Sequence, residues 1–126
     1  MEIYNLYAAW LAFLGGIIAG AIEGLFFCRD DWRGGYSSWR RRLTRLAHIS
    51  FFGIGLLNLF YALSVRSLEI ADPGFWPSML FLVALVGMPL TCYLAAWRQS
   101  FRHLFCIPVA SLTIGILIFL GKVVQS

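Results

Sequence analysis

The stretch that decides the fold is IYNLYAAWLAFLGGIIAGAIEGLFF, residues 3–27, an apolar run long enough to cross a membrane as a helix. Small residues recur along it at every fourth position, which places them on one side of a helix. Helices in lipid associate where small residues let two backbones approach closely. The pattern predicts that this helix packs centrally in a bundle through five residues: Ala8, Ala12, Gly16, Gly20 and Gly24.

The composition of the whole chain is typical of a membrane protein. Of its 126 residues, 60% are hydrophobic and 13% are charged, whereas a soluble domain has about 25% charged residues. Four apolar runs are each long enough, or nearly so, to cross the hydrocarbon core, and they cover residues 3–27, 46–65, 75–97 and 104–124. We therefore expect one all-α domain, an antiparallel bundle of four transmembrane helices.

The basic residues predict how the chain is oriented in the membrane. Eight of the ten lysines and arginines lie in residues 28–45 and 98–102, whereas only Arg66 and Lys122 lie on the other side. Positively charged loops stay in the cytoplasm. We therefore expect a multi-pass protein of the inner, cytoplasmic membrane, with the basic loop 28–45 inside and both termini outside.

Four arginines stand where this loop meets the second span: Arg40, Arg41, Arg42 and Arg45. Long basic side chains at a helix end reach out to lipid phosphates, so we expect these four to fix the topology and to contact anionic headgroups. Topology also explains the net charge of +4, and nucleic acid is not a predicted partner.

The second span carries further packing signals. Gly53 and Gly55 favour close approach by another helix. The first span, with its stripe of small residues, is one candidate for that helix. Asn58 lies between these two glycines and the C-terminal end of the span. An amide without a hydrogen-bond partner in hydrocarbon is costly. We therefore expect Asn58 to make a hydrogen bond between helices. Ser38 has the side chain of a helix cap and can begin this helix ahead of the apolar run.

Three ionisable residues from different spans lie near the predicted cytoplasmic boundary: Glu23, His48 and His103. Such groups inside a membrane either bind, react or pair with one another. Two histidines on different helices suit the axial positions of a b-type haem, or one of them a metal ion. A histidine and a carboxyl group also suit a quinone head group. The third reading, in which the group binds no cofactor and only pairs within the bundle, is the preferred one.

The enzyme motifs that the sequence lacks limit the functions that we expect of this chain. Motifs of soluble enzymes such as the P-loop, GxSxG and HExxH do not occur, and we do not expect an enzyme acting alone. The prediction is a small accessory or structural subunit of a larger inner-membrane complex, with an electron-transfer complex linked to haem or quinone as the specific candidate. Its partners would be lipid and either other membrane subunits or further copies of itself. The alternative is a small oligomeric transporter or channel that couples to protons through Glu23.

Overall fold

The computed structural model describes residues 1–125 and consists of four long helices joined by short segments. The helices are α1 (Glu2–Phe26), α2 (Trp39–Ser67), α3 (Phe75–Trp97) and α4 (Cys106–Gln125). Two short 3-10 helices, Trp32–Gly34 and Gln99–Phe105, lie in the connections at one end. That end holds most of the arginines and is called the arginine-rich end below. All four long helices have the length and hydropathy needed to cross a membrane, so the predicted all-α bundle is confirmed.

The helices form an open row in chain order rather than a closed square. α2 and α3 lie at the centre, α1 packs mainly against α2, and α4 packs against α3. The prediction that the first helix is central is therefore wrong. α3 shares the centre with α2, and its small residues are completely buried and admit a neighbour on two sides: Ala84, Cys92, Ala95 and Ala96.

The buried face of α1 explains this difference. Its buried residues include Ala9, Gly16 and Glu23, which are separated by seven positions. Seven residues nearly complete two helical turns, whereas each step of four advances about 40° around the axis. The stripe of small residues at every fourth position therefore drifts off the packing face, and Gly24 at its end is exposed.

α2 begins and ends with well-formed caps. The Ser38 hydroxyl accepts a hydrogen bond from the Arg41 backbone N–H at 3.2 Å, which confirms the predicted cap. At the other end Glu69 has a left-handed backbone with φ of 49°. The Ile70 N–H then donates to the Val65 carbonyl at 3.1 Å, as in the Schellman motif that ends many helices.

A buried polar network joins three helices at the end opposite the arginines. The Asn5 side-chain amide donates to Asn58 Oδ1 at 2.8 Å and to the Ser78 carbonyl at 3.1 Å. Asn58 in turn donates to the Phe81 carbonyl at 3.1 Å, and the Ser78 hydroxyl donates to Asn5 Oδ1. Asn5, Asn58 and Ser78 are completely buried. The predicted interhelical hydrogen bond of Asn58 is confirmed.

Helix α4 is attached to α3 by small residues and one hydrogen bond. The Ser111 hydroxyl donates to the Leu80 carbonyl at 2.7 Å, and Gly115 packs so closely that an added Cβ would lie 3.2 Å from Leu80 Cβ. Lys122 pairs with Asp72 of the α2–α3 loop at 3.6 Å. The loop and the end of α4 therefore lie at the same end of the bundle.

Candidate functional site

The site is centred on Glu23, a carboxyl group near the arginine-rich end of α1. Its side chain is buried, with 7% of the residue exposed. The Tyr93 hydroxyl of α3 donates a hydrogen bond to Glu23 Oε1 at 3.0 Å. Arg33 and His48 interact electrostatically with the carboxylate, although neither makes an ion pair with it. A carboxylate buried in a membrane helix is costly, and this one has a tyrosine as its direct partner.

Glu23 and Tyr93 face a cavity of about 300 Å³ at the arginine-rich end of the bundle. Its walls combine aromatic, polar and charged side chains from α1, the first 3-10 helix, α2 and α3: Ala19, Ile22, Glu23, Phe26, Trp32, Arg33, Thr44 and Tyr93. The Arg33 guanidinium lies over the Trp32 ring at 5.6 Å. The cavity therefore offers hydrogen-bond acceptors, a cation and flat apolar walls together. We call it the Glu23 cavity.

A second cavity of about 420 Å³ lies deeper between α1 and α3. Its lining is apolar except for the Tyr93 hydroxyl, and it consists of Ala8, Leu11, Ala12, Phe51, Leu85, Val86, Pro89, Leu90 and Tyr93. Tyr93 lines both this apolar groove and the Glu23 cavity, so the two spaces are neighbours. The arrangement suits a ligand with a polar head and an apolar tail.

The two histidines lie in different surroundings. His48 of α2 lies against Gly20 of α1, where an added Cβ would be 2.5 Å from Nε2, and its ring meets Phe52 edge-on at 5.5 Å. His103 is exposed on the second 3-10 helix, which packs against α3 and α4. The structure therefore brings His48 into the neighbourhood of Glu23 but leaves His103 apart, and it gives a haem with these two axial ligands no common site.

Metal ligands do not converge either. Within residues 1–125 no three side chains of His, Cys, Asp or Glu lie close enough together to hold a metal ion. Of the hypotheses drawn from the sequence, the quinone head group and the internal pairing of Glu23 both remain compatible with the geometry.

The four arginines at the start of α2 do not behave alike. Arg40 and Arg42 are exposed, with Arg40 over the Trp39 ring at 5.3 Å, and Arg45 lies over the Tyr36 ring at 4.6 Å. Arg41 differs from the prediction, because only 3% of it is exposed. It donates to the carbonyls of Phe27 at 3.0 Å and of Arg29 at 3.4 Å.

The reason for the burial of Arg41 is a cage of aromatic rings. Its guanidinium lies over Phe27, Trp32 and Tyr36 at 5.3 to 5.5 Å. Stacking on rings and donating to carbonyls offsets part of the hydration that a buried cation loses, and within the described residues the Nε of Arg41 has no hydrogen-bond partner. Arg41 therefore holds the α1–α2 connection in place instead of contacting lipid.

The predicted packing residues also divide into two groups. Ala12, Gly16 and Gly55 are buried, Ala8 packs at the edge of the core, and Gly20 makes room for His48. Gly24 and Gly53 are exposed, and a Cβ at either position would meet no atom within 4 Å. The structure therefore uses the predicted small residues near the middle of the α1–α2 contact but not these two.

Sequence reasoning missed Tyr93, Arg33 and Asn5. A tyrosine close to the end of a span resembles an interface anchor, and Arg33 resembles one more topology signal. Asn5 could have been noticed, because it is a second amide in an apolar span and lies at a depth similar to that of Asn58. No protein-family model, curated protein or solved structure significantly matches this chain.

Proposed function

We propose that this chain is a small accessory subunit of a larger inner-membrane assembly, with an electron-transfer complex as the specific candidate. The observation that supports this most is the open row of helices. α1 and α4 are the two ends of the row, and each packs mainly against a single neighbouring helix. Large apolar side chains are exposed along both, including Leu11, Ile18 and Leu117. Such faces are available to lipid or to neighbouring subunits.

The connections between the helices support the same proposal. The longest one, residues 27–38, is folded back onto Arg41 by hydrogen bonds and ring contacts. It therefore serves the bundle itself and adds no separate domain. In the proposed orientation the arginine-rich end faces the cytoplasm and both termini lie outside, in accordance with the distribution of positive charge.

Purification of the native protein in a gentle detergent tests this function. We expect the chain to migrate with larger membrane proteins in a fixed ratio, and a subunit of an electron-transfer complex would bring redox cofactors with it. A matched purification of the chain expressed in a foreign host controls for contaminants. A colourless assembly that contains only this chain would overturn the proposal.

A proton-coupled carrier is the second candidate, and the Glu23 cavity is the observation that favours it. A buried carboxyl group that faces an open cavity is a common element of proton-coupled transport. In proteoliposomes, Glu23→Gln should then abolish proton-linked flux while the protein still folds. Glu69→Gln, which changes an exposed carboxyl group outside the helices, is the matched control. Unchanged flux in Glu23→Gln would exclude this mechanism.

A further inference from the structure

We propose that the Glu23 cavity and the apolar groove together bind one lipid-soluble quinol, with its ring beside Glu23 and Tyr93 and its tail between α1 and α3. This inference deepens the quinone-linked form of the proposed function and rests on it for its biological setting. The site itself is tested with the isolated chain, whereas the assembly is tested by co-purification. The two can therefore fail separately.

Hydrogen bonding at Glu23 supports a ligand with a hydroxyl group. Tyr93 occupies Oε1 of the carboxylate, while the other oxygen, Oε2, receives no hydrogen bond from the part of the chain that the structure describes. Oε2 is not fully enclosed by the protein, so it is open to a hydrogen-bond donor from a ligand in the cavity. A quinol hydroxyl supplies one, and Arg33 on the cavity wall can donate to the second oxygen across the ring.

The walls of the Glu23 cavity support a flat ring. Phe26 and Trp32 line it, and their rings are stacked on each other at 5.8 Å. Tyr93 contributes a third ring from α3. Ligand sites with aromatic walls and a few placed polar groups orient planar molecules.

The groove accounts for a single apolar tail. Polar contacts join α1 to α3 near both ends, Asn5 to Ser78 at one and Glu23 to Tyr93 at the other. Between these contacts the helices part around the apolar groove of about 420 Å³. One tail can therefore lie in the groove while its ring remains beside Tyr93.

A quinol fits this site better than a phospholipid does. A lipid phosphodiester only accepts hydrogen bonds and offers no donor to Glu23 Oε2, whereas a quinol hydroxyl does. A phospholipid also brings two tails to a single groove. A quinol brings one tail, and its ring carries no net charge.

The test is a binding titration of the full chain in phosphatidylcholine nanodiscs with decylubiquinol, kept reduced. We expect saturable binding of one quinol per chain. Glu23→Gln should weaken binding by about tenfold or more, because a hydrogen bond to a charged group is lost. Tyr93→Phe is a second, more conservative variant, and it should weaken binding in the same direction. His103→Gln, which lies outside both cavities, should leave the affinity unchanged.

The groove is tested with Leu90→Trp, which fills part of it. This variant should weaken binding of decylubiquinol more than binding of the same ring without its tail. Circular dichroism establishes that each variant is folded. The proposal is overturned if decylubiquinol does not saturate, or if Glu23→Gln and Tyr93→Phe both retain wild-type affinity. A tightly held phospholipid that decylubiquinol does not displace would also overturn it, in favour of a lipid site.

Discussion

Tyr93 of α3 donates a hydrogen bond to Glu23 of α1 at 3.0 Å, and this bond connects two helices that have few other contacts. At the opposite end Asn5 makes the corresponding connection to Ser78. The apolar groove lies along the bundle between the two pairs, and Tyr93 lines both this groove and the Glu23 cavity. Polar contacts therefore determine where α1 and α3 touch, and apolar packing determines the rest of the bundle.

Arg41 should stabilise the connection between α1 and α2. Arg41→Gln removes hydrogen bonds to two carbonyls and the contact with three rings, so we expect a loss of about 1–3 kcal/mol in the free energy of unfolding. The loosened connection should also be cut faster by trypsin after Arg29 and Arg33. Cleavage rates measured by mass spectrometry check this.

Arg42→Gln is the control for this prediction, because it removes the same charge from an exposed neighbour. It should leave both stability and cleavage close to the wild type. Equal protection of residues 27–38 in the two variants would show that the aromatic cage does not hold the connection.

The close packing of α1 against α2 gives a second prediction. A Cβ at Gly16 would lie 2.7 Å from the Phe52 ring and 3.0 Å from Phe51 Cβ. Gly16→Ala should therefore destabilise the bundle by about 1–3 kcal/mol through overpacking. Gly24→Ala meets no atom within 4 Å and should be neutral or stabilising by up to about 1 kcal/mol, because alanine favours the helix. Unfolding in sodium dodecyl sulfate compares the two, and equal midpoints would contradict the prediction.

The sequence alone was sufficient to predict the fold class, because long apolar runs in a membrane have few alternatives to helices. The order of packing was not predictable in the same way. Small residues at every fourth position and buried residues at every seventh position begin on almost the same side of a helix. Over the length of α1 the two sets turn away from each other around the helix axis. Gly16 lies on both patterns, whereas Gly24 lies only on the first, and it is exposed.

The candidate site was predictable in part. Glu23 is conspicuous in an apolar helix, but its partner Tyr93 is distant in sequence and resembles an ordinary interface residue. Arg41 was misread because an arginine at a membrane boundary usually faces headgroups. Its burial depends on three rings that surround it only after the connection has folded. His103 was grouped with Glu23 by depth alone, and depth does not specify which helices are neighbours.

The buried amides should be energetically coupled. Asn5→Ala and Asn58→Ala each leave partners without a hydrogen bond, and each should cost about 1–2 kcal/mol of stability. Because the two side chains bond to each other, the double variant should cost less than the sum of the single ones. A double-mutant cycle measured by unfolding in detergent gives the coupling energy. Thr113→Ala, an exposed position on α4, is the control, and strict additivity of Asn5 and Asn58 would contradict the network.

The end of α2 offers a stabilising substitution. Glu69 occupies the left-handed position of the Schellman motif with φ of 49°, where a side chain is strained and glycine is preferred. Glu69→Gly should therefore raise the free energy of unfolding by about 1 kcal/mol. Glu69→Ala removes the same carboxyl group but keeps the strain, so it should not stabilise the protein. If the two variants unfold at the same detergent concentration, a loss of charge rather than relief of the backbone explains any gain.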